Sequence, residues 1–255
     1  MTDPRALRRF LSADDWNTFS QPDFKTDQRS GIPAPPVEKP YPENSRLVEL
    51  VWPDQFSVGD MSVRDAIRSR ESRRKFAPEA FSLEELSFLL WATQGVRRVV
   101  NETGRPVRTF RNVPSGGGRH AFETYLIVNR VDELPSGLYR YLPIEHKLLP
   151  ETAQPDLPGR IARACLDQSF ISASAVVFAW TAIPYRAEWR YSIVAHKMIA
   201  IDVGHICQNL YLAAEAIGAG TCAIAAYDQR AVDEVIGVDG EDEFVIYLAP
   251  VGIRA

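Results

Sequence analysis

From about Trp189 to Ile217 the chain reads as one long helix, apolar on nearly every face and ended by Gly218 and Gly220. A helix that faces water keeps a polar stripe, so one without it has to sit inside something. Whatever this chain folds into is built around that helix. A second segment, Ala173–Ala182, is an almost wholly apolar strand, which asks for cover on both faces. Phe122–Val131 reads as a central strand, with the run from Gly137 to Tyr141 as its neighbour. Ser62 is placed to cap a helix carrying Val63, Ala66 and Ile67. Ser82 and Glu85 form a capping box that opens a helix running to about Gln94. Pro158–Leu166 and Asp228–Ile236, the latter with Asp228 as cap, add two more helices, and Glu243–Val251 a terminal strand. This order is not a regular βαβ alternation, so the fold class is α+β, a mixed sheet flanked by helices.

Residues 1–60 differ from the rest of the chain. The stretch from Gly31 to Glu43 is dense in proline and aperiodic, as expected of an extended arm, with residues 61–255 as the body. Trp16, Phe19, Phe24, Tyr41 and Trp52 make that arm too aromatic for a pure linker. It packs either on the body or on a partner subunit.

A net charge of −4 argues against nucleic acid as the main partner. The three cysteines, Cys165, Cys207 and Cys222, lack metal-ligand spacing and suit a reducing, cytoplasmic setting. No stretch approaches the length of a membrane span, and the first residues contain no apolar core of a signal peptide.

Two short segments carry the chemistry. Arg70, Ser72 and Arg74 set cations and a hydroxyl at alternate positions, the donor set that a phosphate requires. From charge alone, a solvated helix end is the competing reading. Pro114, Ser115, Gly116, Gly117 and Gly118 form a run in which backbone N–H groups can approach a flat ligand. A phosphorylated, planar, redox-capable cofactor answers both, and flavin mononucleotide (FMN) fits best. No Gly-x-Gly-x-x-Gly fingerprint follows a strand, so a Rossmann nicotinamide domain is not expected.

Over roughly residues 61–254 the chain resembles the flavin-dependent nitroreductase family, and within it the SagB/ThcOx-type branch. Four ordered matches carry the resemblance: Ile67-x-x-Arg70-x-Ser72-x-Arg74-x-Phe76, the Pro114–Gly118 loop, Gly204-His205-x-x-Gln208-Asn209-Leu210, and Gly218–Ala226 with the terminal Gly252-Ile253-Arg254. It implies a homodimer with two FMN sites, each built from both subunits, and the long helix in the interface. By the same resemblance Arg70, Ser72 and Arg254 hold the phosphate and ribityl chain, and Arg74 lies at the pyrimidine edge of the ring. Pro114, Ser115, Gly116 and Gly117 then line the ring from the other subunit, and the backbone of Ala225 and Ala226 approaches the flavin N5. Gln208 and Asn209 either cap neighbouring backbone or contribute a flavin contact. His205 reads as a buried, satisfied histidine, while His120, beside the loop, stays open between pocket and core.

The family's azoline-oxidising members carry a Lys-Tyr pair ahead of the long helix, where this chain has Arg190-Tyr191. Arginine does not lose its proton at any working pH, so it cannot act as the base. Arg190 instead binds an acidic substrate or pairs with a carboxylate such as Glu188. The expected activity is an FMN-dependent oxidoreductase that takes hydride from NAD(P)H and passes it to an electron-poor small molecule. The alternatives are a dehydrogenase of a peptide or metabolite, and a non-catalytic flavin-binding subunit whose arm docks a partner. Residues 95–112 and 183–195 read as variable loops over the flavin, the first as a mobile lid.

Overall fold

The computed structural model describes residues 3–152 and 154–255. In chain order the arm holds two short helices, α1 (Pro4–Leu7) and α2 (Asp15–Phe19), and an edge strand, β1 (Val48–Glu49). Then come α3 (Val63–Ser69), α4 (Leu83–Gln94), β2 (Val96–Glu102), β3 (Arg105–Arg111), β4 (Phe122–Val128), β5 (Gly137–Leu142) and β6 (Lys147–Pro150). The chain closes with α5 (Leu157–Ala164), β7 (Val176–Ala182), α6 (Tyr185–Tyr191), α7 (Ala195–Ala216), β8 (Ala219–Thr221), α8 (Gln229–Ile236) and β9 (Phe244–Ile253). Seven strands form one sheet in the order β1-β6-β5-β4-β7-β9-β8. The sheet expected to be mixed is antiparallel between every pair of its strands. Parallel pairing is confined to isolated bridges such as Ser72 with Thr221.

The apolar strands are explained by two cores, one on each face. On β7, Val176, Phe178, Trp180 and Ala182 enter the core shared with α4 and α7, while Val177 and Ala179 enter the core shared with α5 and α8. β4 alternates in the same way, Leu126 and Val128 against Tyr125 and Ile127. A strand with a period of two and helices on both sides has no polar face to show. The helix starts read from sequence hold at atomic level. Ser82 accepts from the Glu85 N–H while the Glu85 carboxylate accepts from the Ser82 N–H, and Ser62 and Asp228 cap α3 and α8.

Four expectations are corrected. The long helix does not begin at Trp189: Ser192 at φ 43° interrupts it, leaving α6 and α7 as separate helices, because a right-handed helix cannot pass through a positive φ. Within one chain α7 is not covered all round either: Ala200, Ile201, Gly204, His205 and Gln208 form an exposed stripe at helical spacing. His205 is thus exposed rather than buried. Residues 95–112 are not a loop but the hairpin β2–β3, turned at Thr103-Gly104, where both residues take positive φ as a tight two-residue turn requires.

The proline-rich stretch is fastened to the body of its own chain. The Lys39 N–H donates to the Glu123 carboxylate at 2.8 Å, and Arg140 donates to the carbonyls of Lys39 and Pro40. Val48–Glu49 extends the sheet beside Leu148 and Lys147. Among the described residues no helix is long and apolar enough to cross a membrane.

Glu123 on the central strand also pairs with Arg186, both almost fully buried. Removing one partner leaves an uncompensated buried charge. Glu123→Ala is therefore expected to cost about 3–5 kcal/mol in denaturant unfolding and to open the backbone near Lys39 to protease, whereas a surface Glu43→Ala leaves both unchanged.

Candidate functional site

After α3 ends, residues 72–76 run along the open edge of β8 and β9. Ser72 bridges to Thr221, the Arg73 N–H donates to the Thr221 carbonyl at 2.9 Å, and Phe76 bridges to Arg254. Extended backbone sends alternate side chains to opposite faces. Arg73 turns inward to the buried Glu215 carboxylate at 3.3 Å, while Ser72 turns to the Tyr211 hydroxyl at 3.0 Å. Gly220 permits this approach, since a Cβ there would stand 2.4 Å from Arg73 Cδ.

Tyr211 is the hub. Its hydroxyl accepts from the Ala223 N–H at 2.9 Å and meets Ser72 Oγ, and its ring lies 5.3 Å from the Arg70 guanidinium carbon. Having accepted from Ala223, the Tyr211 hydroxyl keeps its own proton and a second lone pair for Ser72, whose hydroxyl is exposed at this edge. Arg74 sits 5.9 Å over the Phe170 ring, near the buried Cys222. Burial pushes the Cys222 thiol up, and Arg74 and Ser72 act in the opposite sense. Ala225 and Ala226 follow as exposed backbone. Arg254 is largely committed, donating to Glu215 at 3.0 Å and to the Gly218 carbonyl at 3.0 Å.

Among the described residues Arg70 and Arg74 have no carboxylate within ion-pair distance, while Arg64, Arg68, Arg73 and Arg254 all do. Two unpaired cations flanking an outward hydroxyl form a donor set that fits a phosphate. The residues present therefore suit the phosphate end of FMN.

The glycine loop lies elsewhere, against the other end of α7. Asp202 accepts from the Gly116 N–H at 3.0 Å, and Ser115 Oγ accepts from the His120 N–H at 2.9 Å. A Cβ on Gly116 would stand 2.1 Å from Met198 Cε, and one on Gly117, at φ 60°, would stand 2.3 Å from the Tyr191 hydroxyl. At Gly117 the positive φ and the close Tyr191 ring together favour glycine, whereas the flexible Met198 end could give way at Gly116. Pro114 is exposed at its start. Gln208 is exposed between the two regions, and Asn209 donates to the Ala92 carbonyl at the end of α4. Arg190 is not paired with Glu188, whose carboxylate meets His196 at 2.7 Å.

The sequence-predicted residues thus fall into two groups on one helix: Arg70, Ser72, Arg74 and Arg254 by Tyr211 and Glu215, and residues 114–117 by Met198 and Asp202. From Asp202 to Glu215 is about 20 Å along the helix axis. Tyr211, Glu215 and Asp202, which organise both groups, were not singled out from sequence. Tyr211 and Glu215 stand four apart on one helix face, a spacing that was available.

The sequence model of the Nitroreductase family matches residues 67–253. The chain belongs to that family. This nitroreductase-family chain is 29% identical over 205 residues to a Methanocaldococcus jannaschii protein named as a nitroreductase, MJ1384, covering 80% of this chain and 96% of the relative. It is also 29% identical over 168 residues to the trifolitoxin-processing protein TfxB of Rhizobium leguminosarum bv. trifolii, covering 64% of this chain and 44% of that protein. Among solved structures, a Ralstonia eutropha JMP134 protein titled as a nitroreductase superposes with a TM-score of 0.67 at 26% identity, over 88% of this chain and 99% of the other. The Escherichia coli microcin synthetase McbBCD complex, at 18% identity and a TM-score of 0.60 over 100% of this chain and 95% of the other, shares the fold. The nitroreductase-like α+β fold and an oxidoreductase assignment follow from the family.

His120, at the end of the loop, is 3% exposed. Burial first, then the guanidiniums of Arg111 and Arg119, push its imidazole down to about 2. The unfolded chain takes up that proton near pH 6.5 and the folded chain does not, so stability is full above pH 6.5 and falls as the pH drops below it. Between pH 7 and pH 5.5 the wild type is expected to lose about 1 kcal/mol more than His120→Gln, as read from denaturant midpoints.

Proposed function

We propose that this chain is an FMN-dependent oxidoreductase that transfers hydride from a reduced nicotinamide, NADH or NADPH, to an electron-poor small molecule, and that it works as a homodimer. One observation carries the dimer: Asp202, which holds the glycine loop, and Tyr211, which holds Ser72, stand nine residues or about two and a half turns apart on α7, so the loop and the phosphate-type donors lie on opposite sides of the helix within one chain. Two copies packed antiparallel along their exposed α7 stripes would bring one chain's Arg70 end against the other's Gly116 end. The unpartnered Ile201, half exposed in that stripe, fits such a contact.

In this reading Arg70, Ser72 and Arg74 hold the phosphate and the ring edge, with Tyr211 orienting the Ser72 hydroxyl as a donor. Arg254 contributes the donor capacity that Glu215 leaves free. Pro114, Ser115, Gly116 and Gly117 wall the ring, and Gln208 lies between the two groups. When bound, FMN supplies hydride exchange at its ring N5. The backbone of Ala225 and Ala226 borders that region, and the chain's own work is positioning and electrostatics. We assign residues 1–60 as an arm and 61–255 as the FMN-binding body, and a cytoplasmic setting in keeping with three free, buried cysteines.

The second reading, a peptide- or metabolite-oxidising dehydrogenase, is favoured by the likeness to a trifolitoxin-processing protein and by the fold shared with a microcin synthetase complex. Arg190 opposes it where the chemistry requires a base, because a guanidinium holds its proton. The same neighbour motivates a third reading, a subunit that needs partners.

An absorbance spectrum of the purified protein and identification of the released chromophore test the proposal. The expected result is FMN, one per chain, in a protein that sediments as a dimer and whose flavin is bleached anaerobically by NADH or NADPH. A colourless protein that does not take up FMN refutes the flavin reading. A flavin that neither nicotinamide reduces refutes the donor. Arg70→Ala is expected to weaken FMN binding at least tenfold, and Tyr211→Phe several-fold, in fluorescence-quenching titrations.

A further inference from the structure

We propose that the small cavity beside the glycine loop, walled by Arg108, Arg119 and Arg190, binds an oxyanion: the carboxylate or phosphate head group of the enzyme's small-molecule substrate. Its being a substrate's head group rests on the oxidoreductase reading; anion binding stands on the cavity itself.

The cavity measures about 140 Å³; its cations are Arg108 from β3, Arg119 from the end of the glycine loop and Arg190 beside Trp189 on α6, and the arm at Gln28 and Ala34 and strand β2 complete its wall. That is far below the several hundred Å³ of a site for a whole drug-sized ligand, so it accommodates a head group and not a flavin. Arg119 is the built part. It is 6% exposed, its guanidinium lies 4.8 Å over the Trp189 ring, and Nε donates to the Arg186 carbonyl at 2.7 Å. Its terminal Nη2 is buried without any acceptor. A buried charged donor left unpaired is costly, and beside a cavity lined by two further guanidiniums a bound anion is the partner that would offset that cost.

Nothing within the described chain neutralises the three guanidiniums. Arg108 lies over Phe110 and Arg190 over Tyr191, and neither they nor Arg119 reach a carboxylate within 4 Å among the described residues. Arg186, the fourth cation nearby, is already paired with Glu123. Glu102 is the one carboxylate on the cavity wall; it is exposed on the hairpin and forms no ion pair. Burial and the like charges of Arg190, Arg186 and Arg108 lower the Arg119 pKa to about 10, a measure of how positive the place is. An oxyanion relieves that repulsion, and a small shift of the Arg119 side chain would bring Nη2 to it as a donor.

The position suits a substrate site. Arg108 packs on Gly118, whose Cβ would stand 3.3 Å from Arg108 Cδ, and Tyr191, next to Arg190, touches Gly117. The anion would therefore be held beside the wall assigned to the flavin ring. The arginine at position 190, a residue unable to act as a base, then has a role as an anchor.

The test is isothermal titration of the purified protein, flavin-loaded if it carries flavin, with inorganic phosphate and separately with benzoate, at ionic strength held constant with chloride. Saturable binding of at least one is expected, and which one binds tells a phosphate head group from a carboxylate. Arg190→Gln and Arg108→Gln, both at partly exposed positions, are each expected to weaken it at least tenfold. Arg163→Gln, at an exposed position on α5 outside both sites, should leave it intact. No saturable binding of either anion, or equal binding in both variants, overturns the proposal. A steady-state arm compares 4-nitrobenzoate with nitrobenzene as acceptors. The ratio of their KM values is expected to shift at least tenfold against the carboxylate in Arg190→Gln, and an unchanged ratio overturns the substrate role. Anion binding in a protein whose flavin neither nicotinamide reduces refutes the proposed hydride-transfer reading and leaves the site standing. An active enzyme blind to both anions does the reverse.

Discussion

The rigid length of α7 is the constraint on which the rest of the structure depends. Its buried face packs against α4 and the sheet through Ile199, Val203, Ile206 and Leu210. Two positions along it carry the polar residues that shape the chemistry nearby, Asp202 in its first half and Tyr211 with Glu215 near its end. An α-helix does not shorten, so groups hung at these positions keep their separation whatever the loops do. In the proposed dimer the open stripe of Ile201, Gly204 and His205 is where a second chain would lie.

Buried carboxylates decide what each arginine does. Glu215 holds Arg73 and Arg254, Glu123 holds Arg186, and Asp65 holds Arg68 at the surface. Among the arginines without a carboxylate partner, two sets stand together: Arg70 with Arg74, and Arg108 with Arg119 and Arg190, which line one cavity. Each set leaves positive charge where an anion can use it.

What could be read from sequence was local. The capping box at Ser82 and the caps at Ser62 and Asp228 lie within three residues of what they satisfy, so composition alone reveals them. The fully apolar strands announced two covered faces. The hairpin at 96–111 was read as a loop because its strands are half exposed and rich in arginine, so no clean alternation marks them. The break at Ser192 left no trace in the apolar pattern, since α6 and α7 both contribute to the same core. The residue types of the site were legible as well. Their division between the two ends of one helix was not, because the bonds that fix it, Gly116 to Asp202 and Ser72 to Tyr211, join residues far apart in the chain.

The arm belongs to this logic. Sequence set residues 1–60 apart, yet Trp16 and Phe19 pack edge-on and tilted against Tyr191 at 6.3 and 6.2 Å, and Lys197 donates to the carbonyls of Leu11 and Ser12. Tyr191 in turn lies against Gly117, where a side chain would collide with its hydroxyl. The position of the glycine loop is thereby set from both sides, by Asp202 through a hydrogen bond and by the arm through an aromatic stack. Loss of the aromatic contacts would free Tyr191 to change rotamer, and the loop rests directly on it. The segment least like a folded domain in composition thus helps to hold the most geometrically demanding part of the site.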